Sequence, residues 1–195
     1  MSKPVLAIDF DDTLVYNAQL VIDAYNAQND AEISLNDVYV AEKYGNPEHG
    51  WHHNREEARI WIRDFLVSNE GIANAPLPGT MEALTALKER YDLWVVTGRN
   101  TTWQEGTEKW LARHMPDMFT GVRYCGDTPK SVVCQEIDAS IIIDDSPYYL
   151  SFCVKAGMQA ILFGDYPWNA NAPTAGITHV SDWNEVTEVL LGSEA

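Results

Sequence analysis

The sequence predicts an α/β fold, a Rossmann-like parallel sheet flanked by helices, and two observations carry this prediction. Four short apolar runs each end at polar or turn residues, and stretches with helical periodicity lie between them. Strands that alternate with helices are typical of a parallel sheet wrapped on both faces. The 195 residues suit one such domain with a modest insertion.

The four apolar runs are the predicted strands. They are Val5–Ile8, Asp92–Val96, Ser140–Ile143 and Met158–Phe163. Asp9 follows the first run, Thr97 the second and Asp144-Asp145 the third. In open parallel sheets ligands bind outside the carboxyl ends of the strands, so we expect the functional site there.

The helices between these strands are predicted from periodicity and from their starts. They cover Thr80–Tyr91, Thr102–His114, Thr128–Ile137 and Tyr148–Ala156. Thr102 with Glu105 fits a capping box, as does Asp182 with Glu185. Thr128-Pro129 fits an N-cap followed by proline at the first helical position.

Residues 14–75 break the alternation, because their pattern is helical rather than β. Ala18–Asn29 and Arg55–Ser68 are amphipathic candidates. The apolar stripe of the second consists of Ala58, Trp61, Ile62 and Phe65. We therefore expect a small helical cap, residues 14–75, inserted after the first strand of a core formed by residues 1–13 and 76–195.

The composition excludes several classes of function. A formal net charge of −16 disfavours general binding to nucleic acid or to an anionic membrane, since phosphate contacts need Lys and Arg. No apolar run approaches the roughly 20 residues of a membrane helix, and the N-terminus has no signal-peptide pattern. Cys125, Cys134 and Cys153 have no CxxC spacing and are expected to be buried, reduced thiols of a cytoplasmic protein.

The strongest chemical signal is Asp9-Phe10-Asp11-Asp12-Thr13. Two carboxylates two residues apart, just past a buried strand, point the same way if the backbone stays extended. One can attack phosphorus while the other handles protons, and their mutual repulsion calls for a cation. The competing structural interpretation is an Asx-rich turn after a strand.

Other strand ends supply the remaining groups for phosphoryl transfer. Thr97 offers a hydroxyl, Lys130 an ammonium and Asp145 a carboxylate, which with Asp9 and Asp11 would line one crevice. They provide a nucleophile, an acid/base, phosphate ligands and a metal site.

In this order the residues resemble the four motifs of the haloacid dehalogenase (HAD) superfamily of phosphotransferases. Its DxDx[T/V] motif matches Asp9–Thr13, its Ser/Thr matches Thr97, its Lys matches Lys130 and its acidic pair matches Asp144-Asp145. The resemblance covers residues 5–14 and 76–164 and implies the fold, the chemistry and the site.

The resemblance implies that Asp9 forms an aspartyl-phosphate, and that Asp11 protonates the leaving oxygen and then activates water. It implies a Mg²⁺ ion on the Asp9 carboxylate, the Asp11 backbone carbonyl and Asp145, with Asp144 behind them or on metal-bound water. It also implies that Thr97 and Lys130 hold phosphate oxygens. Magnesium suits such a site, because it prefers a few carboxylates, several waters and substrate phosphate.

Finer features are similar to the 5′(3′)-deoxyribonucleotidase-like members of the superfamily. They are the stretch 163–169, the residues His179, Val180 and Trp183, and the motif Ile143–Pro147. In Thr97-Gly98-Arg99, Gly98 and Arg99 are further candidates for substrate binding, since Arg grips phosphate bidentately. The alternative interpretation is that Arg99 caps a helix and that Trp168 is packing.

Two further sets of residues have more than one interpretation by pattern alone. The preferred interpretation of the cluster His49, His52 and His53 is a plain polar loop. Substrate contact is a weaker alternative, and metal binding is weaker still because no zinc spacing fits. Trp51 or Trp168 could stack a base, by analogy with single-strand binders.

The function predicted is a Mg²⁺-dependent phosphomonoester hydrolase for a small phosphorylated substrate, a (deoxy)nucleoside monophosphate being favoured. Three alternatives stay open: a nucleic-acid 3′-end phosphatase like that of polynucleotide kinases, a sugar-phosphate phosphatase, and a catalytically silent binding module. The acidic charge and the cap argue against a polymer. Intact Asp9, Asp11, Thr97, Lys130 and Asp145 argue against a silent module.

Overall fold

The computed structural model describes residues 2–39, 43–170 and 175–192. Residues 40–42 of the predicted cap, and residues 1, 171–174 and 193–195 of the predicted core, lie outside these ranges. The strands are β1 Val5–Ile8, β2 Asp92–Thr97, β3 Gly121–Tyr124, β4 Ala139–Asp144, β5 Gln159–Phe163 and β6 Ile177–Val180. The α-helices are α1 Asn17–Asn29, α2 Leu35–Tyr39, α3 Arg55–Leu66, α4 Asn69–Ala73, α5 Thr80–Lys88, α6 Gln104–His114, α7 Lys130–Glu136, α8 Pro147–Lys155 and α9 Trp183–Leu191. Of the helices in the described ranges, none combines the length and the apolar character that a membrane crossing requires.

The six strands form one parallel sheet in the order β3-β2-β1-β4-β5-β6, which confirms the predicted fold class. The chain runs outward from β1 to β3 on one side and from β4 to β6 on the other. The strand order therefore reverses between β1 and β4, and ligands of such sheets bind at this point. Ile8 pairs with Ile143, and the Asp9 amide donates to the Ile143 carbonyl at 2.9 Å. This register brings Asp9 beside Asp144.

The two strands that the sequence did not predict, β3 and β6, are the edges of the sheet. Their residues are mostly half-buried or exposed, with Val180 the one fully buried member. Because an edge strand is covered less than a central one, neither has the continuous apolar run that marks the four predicted strands.

Two of the predicted helix starts are wrong. Thr102 does not cap a helix, because it lies in a 3₁₀ turn, Thr101–Trp103, which Asn100 caps by accepting from the Thr102 amide. The α7 helix begins at Lys130 with Pro129, not Thr128, in the capping position. The shift places the lysine itself on the first helical turn.

The third predicted helix start, at Asp182, is confirmed, but the second hydrogen bond of the predicted capping box is made to a different amide. Asp182 caps α9 by accepting from the amides of Asn184 and Glu185 at 2.8 and 3.0 Å. The Glu185 carboxylate reaches the Ser181 amide at 2.7 Å rather than the amide of Asp182.

The sheet carries an apolar layer on each face, because alternate residues of a strand point to opposite sides. Leu6 and Ile8 of β1 belong to one layer, with α5, α6 and α9. Ala7 belongs to the other layer, with α7 and α8. Close packing on both faces holds the strand ends in fixed positions.

We call residues 14–75 the cap segment. It contains α1 to α4 and two apolar clusters of its own, centred on Tyr25 and Phe65. The predicted stripe of α3 is found, since Ala58 and Phe65 are buried and the two other members pack against the same clusters. The segment leaves and re-enters the core at neighbouring points, because Val15 bridges Pro76 and the Leu77 amide donates to the Leu14 carbonyl at 2.9 Å.

Candidate active site

The carboxyl ends of the central strands bring the predicted residues together at one cleft of about 340 Å³, which all of them line except the fully buried Thr97 and Asp144. Its lining comprises Asp9, Asp11, Asp12, Gly98, Arg99, Lys130, Asp145, Ser146, Tyr149 and Trp168. Asp9 follows β1, Thr97 ends β2, Asp144 ends β4 and Lys130 begins α7. All four are buried, so their positions are fixed by packing rather than by solvent contacts.

Lys130 lies at the centre of the cleft floor. Its Nζ is 2.7 Å from Asp9 Oδ1 and 2.6 Å from Asp144 Oδ2, and it lies 4.8 Å from the centroid of the Tyr149 ring. Burial by itself would lower the pKa of this ammonium, but the charges of Asp144 and Asp9 raise it well above its usual value. Lys130 is therefore a fixed positive charge beside Asp9.

The floor nevertheless carries an excess of negative charge. Carboxylate oxygens of Asp9, Asp144 and Asp145 lie within 4.8 Å of one another, and Lys130 forms ion pairs with the first two of them. Burial, together with the charge of Asp144, raises the pKa of Asp9 to about 7 against the attraction of Lys130. The pKa of Asp145 is raised by burial and by the charges of Asp144 and Asp9. Hard oxygen ligands and uncompensated negative charge fit a divalent cation such as magnesium.

The two acidic residues after β4 are held from different sides. Asp144 accepts from Lys130 and, through Oδ1, from the Ser146 amide at 2.8 Å. Asp145 accepts from the indole Nε1 of Trp168 at 2.7 Å. Trp168 stacks on Tyr166 with ring centroids 4.5 Å apart. The loop after β5 thus orients one carboxylate of the cluster.

Asp11 is bound on two sides. Arg99 donates from Nε to Oδ2 at 2.8 Å and from Nη2 to Oδ1 at 2.7 Å, and Asn17 donates from Nδ2 to Oδ1 at 2.8 Å. Burial would raise the pKa of Asp11, but the charge and hydrogen bonds of Arg99 outweigh burial and lower it. Asp11 is thereby held as a carboxylate at the rim of the cleft.

Arg99, predicted as a substrate ligand, has its guanidinium engaged within the protein. Besides its two bonds to Asp11, it donates from Nη1 to the Thr107 hydroxyl at 2.9 Å. Its guanidinium carbon lies 4.4 Å from the ring centroid of Phe10 and 4.8 Å from that of Trp103. The residue does not cap a helix, since Asn100 does so. Its side chain is thus arranged to hold Asp11.

Gly98 lines the cleft, whereas Thr97, the residue before it, is not part of the lining. Thr97 is fully buried, and its hydroxyl accepts from the Arg99 amide at 3.2 Å. Gly98 leaves the wall open between Lys130 and Tyr149, whose atoms would lie 3.9 and 3.8 Å from an added Cβ.

A second cavity of about 300 Å³ adjoins the cleft and shares Asp11, Gly98 and Arg99 with it. One side is formed by α3 of the cap segment, the other by the loops after β2 and β3. The remaining residues of its lining are Glu56, Arg59, Ile60, Arg63, Asn100, Thr102, Trp103, Gly126 and Asp127. Its two ends therefore differ, with Asp11 at one end and cap side chains at the other.

Trp51, predicted as a residue that could stack a base, is only 1% exposed. Its ring packs on Tyr25 and Tyr44, and its Nε1 donates to the Asp37 carbonyl at 3.2 Å. The prediction for Trp51 is wrong, because the residue belongs to the apolar core of the cap segment. Trp168, by contrast, lines the cleft.

The histidines of the cap segment lie apart from the cleft lining. His53 Nδ1 is 2.8 Å from the Tyr25 hydroxyl, which also accepts from the His52 amide at 3.0 Å. Among the described residues, the one cluster of three or more potential metal ligands is that of Asp9, Asp144 and Asp145. The polar-loop interpretation is the one these contacts favour.

The three cysteines form no disulfide and are all buried, as predicted. Burial raises the pKa of Cys125 to about 11, so this thiol is protonated at neutral pH. A thiolate reaction in the cleft finds no support here.

The sequence did not predict two residues of the site, Asn17 and Asn74. Asn17 contacts Asp11, and Asn74 contacts Asn17 at 3.0 Å. An isolated asparagine carries no pattern, and Asn74 lies 57 positions from its partner. Only the crossing of the cap segment into the core brings them together.

The comparisons with known proteins agree with this geometry. The model of the family described as "5' nucleotidase, deoxy (Pyrimidine), cytosolic type C protein" matches residues 3–195. No curated protein matches the chain in sequence. Three solved structures are similar in fold at low sequence identity.

The first is the Bacillus subtilis protein YfnB, assigned as a HAD hydrolase and solved bound to magnesium. It has a TM-score of 0.67 and 16% sequence identity, and the match covers 98% of this chain and 100% of that one. The second is a predicted phosphatase from Clostridium acetobutylicum: TM-score 0.68, 18% identity, 98% and 99% covered. The third is a haloacid dehalogenase-like hydrolase from Streptococcus pneumoniae: TM-score 0.68, 13% identity, 96% and 98% covered. These likenesses establish the fold.

Proposed function

The chain belongs to the deoxy (pyrimidine), cytosolic type C family of 5′-nucleotidases, and we propose that it hydrolyses (deoxy)nucleoside monophosphates through an aspartyl-phosphate on Asp9. Family and fold make it a phosphatase of the HAD superfamily. The substrate, the intermediate and the cation are the proposed part.

One observation carries the proposal. Asp9 is buried on the cleft floor 2.7 Å from Lys130, while Asp11, two residues further on, stands between the floor and the second cavity. A phosphate bound on Lys130 therefore has a carboxylate nucleophile beneath it. Its ester oxygen would point toward Asp11 and the second cavity.

The chemistry of the two half-reactions follows from these positions. A carboxylate oxygen of Asp9 forms a bond to phosphorus as the bond to the leaving alcohol breaks. Asp11, after it has taken up a proton from the phosphate monoanion, passes that proton to the leaving alcohol. Asp11, again a carboxylate, then takes a proton from water, which attacks phosphorus and returns Asp9. Lys130, Thr97 and Gly98 would bind the phosphate oxygens throughout.

Magnesium is the proposed cation, and its place is the negative floor. Asp9 and Asp145 would bind it with the Asp11 backbone carbonyl, and Asp144 would support them from its bonds to Lys130 and Ser146. When bound, the ion would neutralise charge on the transferring phosphate. The raised pKa values of Asp9 and Asp145 support a cation, because both groups are poorly compensated without one.

The second cavity is the proposed place of the nucleoside. Its volume of about 300 Å³ is at the small end of ligand pockets, which suits one nucleoside rather than a polymer. Ile60 and Trp103 provide apolar surface, while Arg59, Arg63 and Asn100 provide polar groups for a base and a sugar. We propose that residues 14–75 act as a cap that closes this cavity, over a core of residues 1–13 and 76–195.

The experiment is a panel of phosphomonoesters assayed for released phosphate with and without Mg²⁺. It contains deoxynucleoside 5′- and 3′-monophosphates, sugar phosphates and a 3′-phosphorylated oligonucleotide. We expect the highest kcat/KM for a deoxynucleoside monophosphate and no turnover in excess chelator. A preference for the oligonucleotide would overturn the capped small-molecule site, and a preference for sugar phosphates would remove the nucleotide assignment.

A further inference from the structure

A chain of side-chain amides links the crossing of the cap segment to Asp11. Asn74, at the end of α4, donates from Nδ2 to the Tyr16 carbonyl at 3.1 Å and to Asn17 Oδ1 at 3.0 Å. Asn17, the first residue of α1, donates from Nδ2 to Asp11 Oδ1 at 2.8 Å. Asn17 and Asn74 thus stand at the two points where the chain enters and leaves the cap segment.

The donor or acceptor character of the partners fixes which way each of these side-chain amides is oriented. A backbone carbonyl is only an acceptor, so Asn74 must present its NH₂ group to Tyr16. The second hydrogen of that group faces Asn17, which must accept it with its side-chain oxygen. Asn17 then has only its NH₂ group to offer to Asp11, and a donor is what a carboxylate requires.

Asn74 is itself anchored to the core. Its backbone carbonyl accepts from the indole Nε1 of Trp110, on α6, at 2.8 Å. Its side chain is half-buried and reaches across to the start of α1. The residue therefore joins the core to the first turn of the cap segment through fixed contacts on both sides.

We propose that Asn74 is a positioning residue for Asp11, acting through Asn17, so that the orientation of the proton donor depends on the seating of the cap segment. Arg99 holds Asp11 from the core side, and the amide pair holds it from the cap side. The proposal rests on the function proposed above for Asp11. It assigns to Asn74 no contact with the substrate.

A change in the polarity of Asn74 tests this directly. Asn74→Asp puts acceptors opposite the Tyr16 carbonyl and Asn17 Oδ1, so Asn17 turns its NH₂ group to the new carboxylate and its oxygen to Asp11. Asn74→Ala removes the donors without reversing them. The matched control is Asn26→Ala, since Asn26 is a half-buried asparagine of the cap segment that makes two side-chain bonds, to Ile33 at 2.9 Å, and does not contact Asp11.

The readout is the rate at which the leaving group is released in the first turnover, measured for each variant with two ester substrates. A deoxynucleoside monophosphate needs a proton on its departing alkoxide, whereas p-nitrophenyl phosphate releases a stable phenolate without one. We expect Asn74→Asp to slow the nucleotide about tenfold or more, Asn74→Ala less, and neither to slow the aryl ester by more than about threefold. KM for the nucleotide should change little.

The ratio of the two rates does not depend on how much of a variant is folded. An increase of this ratio in the Asn74 variants and not in Asn26→Ala supports the positioning role. An unchanged ratio, or the same change in Asn26→Ala, overturns it and leaves Asn74 a structural residue. A wild-type protein inactive on both esters would instead remove the proposed function, and this inference with it.

Discussion

The cleft floor and the second cavity use charged residues in opposite ways. On the floor, Lys130, Asp9 and Asp144 have side chains at most 8% exposed, and Lys130 Nζ lies 2.7 Å from Asp9 and 2.6 Å from Asp144. On the cavity wall, Arg59 and Glu56 are 62% and 67% exposed and form a 3.5 Å ion pair within one helix. The groups that would perform the chemistry are fixed by packing, and those that would contact the leaving group are free to rearrange.

This difference has an energetic side. Breaking one partner out of a buried ion pair costs about 3–5 kcal/mol, because the other charge stays buried and uncompensated. An exposed pair is worth about 0–1 kcal/mol. Substitutions on the floor should therefore affect activity and stability together, while those on the cavity wall should affect substrate preference alone.

The largest effect is expected for Asp9→Asn. A neutral amide cannot form the acyl-phosphate, so turnover of any phosphomonoester should fall below detection. Phosphate release by purified protein measures this. Retained turnover with a correctly folded variant would contradict the covalent mechanism.

The same variant should change stability with a definite sign. The pKa of Asp9 is raised from 3.8 to about 7 in the folded protein, so the folded state binds the proton more tightly. Metal-free wild-type protein should lose stability as pH rises from about 4 to about 7, and the Asn variant should lose less. Melting temperatures at pH 5 and pH 8 in chelator test this. A wild type that gains on the variant at pH 8 would contradict the sign.

Lys130→Met should destabilise the floor. The substitution removes the charge shared by Asp9 and Asp144, and we expect a loss of about 3–5 kcal/mol in the free energy of unfolding at pH 7, with loss of activity. The control is Lys109→Met, whose partner Glu105 lies 2.6 Å away on the surface of α6. Urea unfolding should place the control within about 1 kcal/mol of wild type. Equal losses would show that burial of the charges does not separate the two pairs.

Trp168→Phe probes the support of one proposed metal ligand. The indole donates to Asp145, and losing such a support costs about 10–100-fold in metal affinity. The Mg²⁺ concentration that gives half-maximal activity should rise accordingly, with kcat largely restored at saturating Mg²⁺. An unchanged Mg²⁺ requirement would show that Trp168 is packing alone.

The smallest effect is expected on the cavity wall. Arg59→Ala and Arg63→Ala remove hydrogen-bond donors from the cavity wall, so KM for a deoxynucleoside monophosphate should rise about 3–10-fold. kcat for p-nitrophenyl phosphate should stay within about twofold, since that ester does not need the nucleoside contacts. Equal losses on both esters would place these arginines with the chemistry and erase the contrast between the two regions.

The sequence predicted the buried part of the fold best. The central strands were found because most of their residues are covered on both faces and form apolar runs, as in residues 141–143. Edge strands such as β6 have no such run. The cluster of Asp9, Lys130, Asp144 and Asp145 was also predicted, because ordered motifs at strand ends converge when the strands are parallel.

Long-range side-chain pairing was beyond the sequence. Arg99 lies 88 positions from Asp11, and nothing in its immediate neighbours distinguishes a guanidinium that binds substrate from one that binds the acid. Trp51 was misjudged for a similar reason. Its burial depends on Tyr25 and Tyr44, which the fold of the cap segment brings around it.

The adjacent exit and return of the cap segment make it a replaceable part. Val15, near the start of the segment, is bridged to Pro76, directly after its end, so a different insert could join the same two points without moving β1 or β4. The reacting groups, Asp11 included, lie outside residues 14–75 and would survive such an exchange, but Asp11 would lose its hydrogen bond from Asn17. Different inserts at these two points could therefore change the range of substrates while the catalytic residues of the core stay the same.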